Sequence, residues 1–183
     1  IERTDGERRW SGPTLPRVVI HPGGVSARHW RPAQYRDLAQ TLAQQGYAVV
    51  LTGSQAECDQ FRSEALDGVV LHPRVNNLMG QLTIRELMAV IAAAQVVVSG
   101  ATGPAHLAAA LNVPTVSLFD PRRNNLPIRW KPLGRGVLLR PDVPTCEKCI
   151  GEACPYWDCL DRFTVENVAA RLGAVVQSAQ PLT

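Results

Sequence analysis

Thr102, Gly103, Pro104 and His106 stand together in VVVSGATGPAHLAAALNVPTVSLFD, the segment Val96–Asp120. The β-branched run Val96–Ser99 reads as a strand, and Gly100 and Gly103 relax the turn that follows. Thr102 suits an N-cap, and Pro104 suits a first helical position. Free N–H groups and the positive end of a helix dipole at such a turn favour an anion, a phosphate above all. Thr102 and the amides near Gly103 would face a diphosphate, and His106 would hydrogen-bond a phosphate or a sugar. The same residues also suit an ordinary βαβ unit that binds nothing, with His106 packed beside an Ala-rich helix face.

Two other loops carry compatible chemistry. In HPGGVSARHWRP, Gly23 and Gly24 allow close backbone approach to a ligand, and Ser26 offers a hydroxyl. Arg28 brings a planar fork suited to phosphate, with His29 and Arg31 as weaker candidates. A solvated basic loop, with Trp30 covering the next helix, is the competing reading. In LTGSQAEC, Gly53 turns the chain and Glu57 opens a helix. Glu57 is placed either to accept hydrogen bonds from ribose hydroxyls or simply to complement the helix dipole.

A third cluster is CEKCIGEACPYWDC, with Cys146, Cys149, Cys154 and Cys159 in one short loop. Four thiolates can hold zinc tetrahedrally, and the leading CxxC is a familiar half-site. The second half is not a CxxC, and the loop has no His. Packed free thiols, or a labile disulfide on oxidation, are therefore favoured over zinc at these four residues. The remaining cysteine, Cys58, reads as packed in a helix.

These loops need a scaffold that brings them to one edge. Strands are expected at Arg17–His21, Tyr47–Leu51, Val69–Leu71, Val96–Ser99, Thr115–Phe119 and Val137–Leu139. Helices are expected at Pro32–Gln45 with Gly46 as its C′ glycine, at Gln55–Leu66, from a Thr83–Glu86 capping box to about Ala94, across the Thr102 turn, and at Thr164–Gln177. Helices between strands imply right-handed crossovers, hence a Rossmann-like parallel α/β sheet with helices on both faces. Ligands bind beyond the carboxyl ends of such strands, which selects the three loops above. Ile1–Pro16 reads as a linker and residues 17–183 as one domain.

Composition bounds the function. The 183 residues are 45 % hydrophobic and 5 % aromatic, which fits a globular domain with an aliphatic core. A net charge of +3 is too small and scattered to argue for nucleic acid. No apolar run has transmembrane length and no signal-peptide pattern is present, so a cytoplasmic location is expected. GxGxxG, Walker, HExxH and GxSxG motifs are missing, which weakens dinucleotide oxidoreductase, P-loop, zincin and serine-hydrolase readings.

Taken in order, the loops resemble glycosyltransferase family nine, the ADP-heptose:lipopolysaccharide heptosyltransferases. The resemblance is carried by HPGG and the Trp before Pro in His21–Pro32, by Gly53–Glu57, and above all by TGPAHLAAALNVPTVSLFDP at Thr102–Pro121. It covers nearly everything beyond Pro16. It implies a GT-B fold of two Rossmann-like domains with the active site between them. This chain looks like the C-terminal, donor-binding half, with the catalytic base and much of the acceptor site in an N-terminal half. No catalytic residue is therefore expected here, and this half alone is expected to be inactive.

The resemblance further implies that Arg28 stands nearest the family's basic phosphate ligand, although Arg31 is an extra residue in that loop. Glu57 matches the ribose-binding acid, and Thr102, Gly103 and His106 match the diphosphate turn. Many members have Asp where this chain has Ala101, so the transferred sugar is either heptose or a related one. The implied partners are a nucleotide sugar, ADP-heptose or similar, and a lipid-linked saccharide acceptor of lipopolysaccharide. The full enzyme would work at the inner face of the cytoplasmic membrane. No cofactor and no metal are implied, and cysteines occur in this loop of the family without an obligatory metal. A catalytically silent nucleotide-sugar-binding module is the alternative.

Overall fold

The apolar runs Arg17–His21 and Ala48–Leu51 are each followed by an amphipathic helix that packs its apolar face on the sheet. The computed structural model describes residues 17–23 and 29–178. In chain order the elements are β1 (Arg17–His21), α1 (Pro32–Gln44), β2 (Ala48–Leu51), α2 (Gln55–Ala65), β3 (Val75–Asn77), α3 (Ile84–Ala92), β4 (Val96–Gly100), α4 (Gly103–Ala110), β5 (Thr115–Leu118), α5 (Pro127–Trp130), β6 (Gly136–Leu139) and α6 (Val165–Ser178). Single 3-10 turns at Arg123–Asn125 and Gly151–Ala153 lie in the connections.

Local chemistry sets the helix ends. Ser54 and Thr83 accept from the amides of Glu57 and Glu86, whose carboxylates reach back to the Ser54 and Thr83 amides at 2.7 and 2.8 Å. After α1 the chain reverses through Gly46 at φ +97°, a conformation that favours glycine. After α4 it reverses through Asn112 at φ 58°, a position Asn tolerates.

The strands form one parallel sheet in the order β3-β2-β1-β4-β5-β6. Val18 and Ile20 of β1, with Val49, Leu51, Val96, Val98, Val116 and Leu118, face a layer that includes Tyr35, Leu38, Leu42, Phe61 and Leu172 of α1, α2 and α6. The alternate residues Val19, Val50 and Val97 face Val90, Ile91 and Ala108 of α3 and α4. Burial on both faces explains why the strands read as continuous apolar runs rather than alternating ones. In α4, Ala105 and Ala108 are fully buried, so the helix carrying the Thr102 turn lies close on the sheet.

One strand differs from expectation. The run Val69–Leu71 is not a strand but an irregular connection in which Val70 is 88 % exposed. The third strand is Val75–Asn77, paired with β2 through Val75↔Val49, Asn76↔Val50 and Asn77↔Leu51. An edge strand has one neighbour and needs few apolar side chains, so two Asn residues suffice once Val75 is buried. The linker expected at Ile1–Pro16 lies outside the described residues. No described helix is long and apolar enough to cross a membrane.

Candidate functional site

The sheet order reverses between β1 and β4, and a ligand crevice belongs at that switch point, beyond the strands' carboxyl ends. β1 and β4 are hydrogen-bonded in register from Val18↔Val96 to His21↔Ser99. The residues that follow them, Pro22–Gly23 and Ala101–Gly103, therefore emerge side by side. A cleft of about 350 Å³ opens there, bounded by Gly23 and His29 on one side and by Gly100, Ala101 and Thr102 on the other. Asp120 and Asn125 close its far wall.

Thr102 occupies the N-cap of α4 with extended backbone, but its side chain caps nothing. Its Oγ1 is buried and has no hydrogen-bond partner among the described residues. A buried hydroxyl left unpaired costs about 1–3 kcal/mol, so an unsatisfied one at a helix N-terminus is a group waiting for a partner. Pro104, at the second helical position rather than the first, has no N–H, and the Ala105 amide donates to Thr102 O at 3.1 Å. This leaves the exposed Gly103 amide free to donate to an anion. His106 is half-buried on α4 and does not line the cleft.

A second recess of about 290 Å³ adjoins the first through Gly23 and His29, and Glu57, Gln60 and Phe61 line it. Glu57 fills the helix-start role expected of it. Its Oε2 accepts from the Ser54 amide, which is the capping function, while Oε1 lies 3.8 Å from Nε2 of buried His21. The neighbouring His21 imidazole, helped by Ser54 and opposed by partial burial, holds the Glu57 carboxyl at about 2. His21 is itself fixed through Nδ1 to Thr52 Oγ1 at 3.1 Å. The residues at the ends of β1 and β2 thus set the Glu57 carboxylate in place. A Cβ on Gly23 would overlap that carboxyl, and one on Gly53 would sit 2.7 Å from Met79 Cε, so a side chain at either position would displace the end of the Glu57 or Met79 side chain.

Gly24, Ser26 and Arg28 lie outside the described residues. Arg31 does not serve the cleft: it sits at the N-cap of α1 and pairs with Asp161. Trp30 is buried, donates from Nε1 to Phe163 O at 2.9 Å, and meets Tyr35 edge-on at 5.0 Å. It covers α1 and ties the first loop to the segment before α6.

The residue that the loop-by-loop reading missed is Asp120. It is 3 % exposed, and its carboxylate accepts from Arg122 N at 2.9 Å, Arg122 Nε at 3.1 Å, Arg122 Nη2 at 2.7 Å and Asn125 Nδ2 at 2.9 Å. Its sequence signals were its place directly after the β5 run and within the Thr102–Pro121 string. The Asp120 carboxylate beside it holds the Arg122 guanidinium more firmly charged.

The four clustered cysteines line a separate pocket of about 400 Å³ that shares Asp120 with the cleft. All the cysteines are free thiols. Burial pushes the Cys146 thiol up, which keeps it protonated at neutral pH. Among the described residues no three His, Cys, Asp or Glu side chains converge closely enough to hold a metal. The loop is stitched to the cleft wall by Arg123 N to Cys146 O at 2.8 Å and by Cys146 N to Pro121 O at 3.2 Å.

A family model, "Glycosyltransferase family 9 (heptosyltransferase)", matches residues 11–156. The chain belongs to glycosyltransferase family 9. Lipopolysaccharide heptosyltransferase 1 of Pseudomonas aeruginosa is 30 % identical over 185 residues, covering 90 % of this chain and 49 % of that protein. Lipopolysaccharide heptosyltransferase 2 of Escherichia coli K12 is 35 % identical over 110 residues, covering 58 % of this chain and 31 % of that protein. The solved E. coli ADP-heptose LPS heptosyltransferase II superposes with a TM-score of 0.77 at 27 % identity, covering 97 % of this chain and 53 % of that one. This family 9 chain thus spans between 31 % and 53 % of the length of these relatives. The family's fold assigns the observed sheet to one Rossmann-like half of a GT-B glycosyltransferase.

Proposed function

We propose that this chain is the donor-binding half of a glycosyltransferase that moves a sugar, heptose in the first instance, from ADP to a lipopolysaccharide core acceptor. The observation that carries the reading is the unpaired, buried Thr102 hydroxyl at the N-terminus of α4, in the crevice at the switch point of the sheet. A nucleoside diphosphate suits this crevice. Its phosphates would take the Gly103 amide and the Thr102 hydroxyl at the positive end of α4, with Arg28 contributed by the first loop. Its ribose would lie towards Glu57, whose carboxylate stays ionised and accepts hydroxyl hydrogen bonds.

Sugar transfer breaks the bond between the anomeric carbon and the diphosphate, and negative charge gathers on the leaving phosphate. Donors fixed in place before the reaction stabilise that charge without reorganising. The acceptor hydroxyl must lose a proton to a base, and that base is assigned to the half of the enzyme outside residues 17–183. Membrane contact and acceptor binding are assigned there too. Ala101 favours a second reading, a related nucleotide sugar in place of heptose, because it leaves a methyl group where many relatives have a carboxylate.

Thermal-shift screening with ADP-, UDP- and GDP-sugars tests the assignment. A native-state ligand at a hundred times its Kd adds about 2.7 kcal/mol of stability. A rise in Tm with the ADP compounds is expected, and no rise with any nucleotide would overturn the donor-site reading.

A further inference from the structure

One wall of the switch-point cleft carries polarity that the α4 turn does not use. It is formed by the segment after β5, where Asp120 and Asn125 face the same space as Gly100, Ala101 and Thr102. Asp120 is already occupied by the Arg122 and Asn125 donors. Asn125 is not. A carboxylate only accepts, so Asn125 must turn Nδ2 towards Asp120 Oδ2, 2.9 Å away, and this fixes the orientation of the amide. Oδ1 is thereby turned away from Asp120, and it accepts nothing from the described residues. The half-buried Asn125 thus offers the cleft one acceptor and one spare N–H in a fixed direction. Across the cleft, Ala101 contributes only a methyl group.

We propose that Asn125, oriented by Asp120, reads a hydroxyl of the transferred sugar and so helps to determine donor specificity. This rests on the donor-site reading above. A neutral acceptor beside a neutral donor matches a hydroxyl, which both donates and accepts. The adjoining charges, Asp120 and Arg122, are paired at 2.7 Å and present no net charge to the sugar. A site built to hydrogen-bond a hydroxyl discriminates against ligands that lack it, because its own polar groups are then left unpaired.

Calorimetry on the chain with ADP, ADP-heptose and ADP-glucose separates the two levels of the argument. The unaltered chain is expected to bind at least one ADP-sugar more tightly than ADP. Asn125→Ala is expected to weaken that ADP-sugar about 3- to 10-fold, the scale of one neutral hydrogen bond, and to leave ADP affinity unchanged. Asn125→Asp keeps the shape but sets a second carboxylate against Asp120, and the same selective loss is expected with the melting transition retained. If both variants weaken ADP and the ADP-sugar equally, or change neither, the assignment of Asn125 is overturned. It also falls, with the donor-site reading intact, if neither sugar adds to the affinity for ADP. An unaltered chain that does not bind ADP at all overturns the donor-site reading first.

Discussion

At Thr102 the proposed donor site sets stability against binding. The hydroxyl is buried without a partner, a cost the fold bears when no ligand is present. Thr102→Val keeps the branched shape and removes that cost. Urea denaturation should show an unchanged or higher midpoint, by up to about 1–3 kcal/mol, while ADP affinity falls. A lower midpoint with normal ADP affinity would make Thr102 a purely structural residue. Glu57 gives a second test, read in pH. The His21 imidazole beside it holds its carboxyl at about 2, against an ordinary 4.5. Folding therefore releases a proton from this group at intermediate pH. Its contribution to stability is fully present above about 4.5 and disappears as the pH falls towards about 2. Glu57→Gln should flatten that part of the pH–stability curve, and an identical slope in the variant would show that the coupling to His21 is not felt in folding. At this scale Thr102, Gly103 and Glu57 were legible from short-range chemistry: turn residues, a helix start and an acid after a strand. Arg31 was not, because its partner Asp161 is 130 residues away. Asp120 stands within the Thr102–Pro121 string without a sign there of what it contacts, Asn125 belongs to no local motif, and only packing brings both to the cleft that Ala101 lines.

Among the elements, the helix caps and the first loop show different kinds of dependence. Most helix boundaries fell where capping chemistry placed them, as at Ser54 and Thr83. β3 did not, because an edge strand of three residues leaves almost no periodic signal, and the more apolar Val69–Leu71 attracted the assignment. Trp30 couples elements distant in the chain. It fills the core beside Tyr35 of α1 and donates to Phe163 near the start of α6. Trp30→Ala should cost about 3–5 kcal/mol in urea denaturation, the range for emptying a large aromatic site. A loss below about 1 kcal/mol would mean that the loop end repacks without it. The Cys146–Cys159 loop is held by backbone hydrogen bonds to Pro121 and Arg123, so its place in the fold does not depend on a disulfide.

For the molecule as a whole, the parallel sheet collects three sequence-distant loops at one edge, and function follows from that collection. Arg28 belongs by sequence to the first of these loops, between Gly23 and His29. Arg28→Ala is expected to weaken ADP binding by about 1–3 kcal/mol, the scale of a charge-assisted hydrogen bond, and unchanged affinity by calorimetry would remove it from the phosphate site. The fold class, the alternation of elements, the Thr102 turn and the family were determined by the sequence alone. Each is built from short segments, read one at a time and in chain order, within which spacing and local propensity suffice. The tertiary structure decided what lies across the cleft. It paired His21 with Glu57, withdrew Arg31 to Asp161, left the Thr102 hydroxyl without a partner, and set the Asp120–Asn125 wall opposite Ala101. Those are contacts between segments tens of residues apart, fixed by sheet order and packing rather than by any spacing that could be read along the chain.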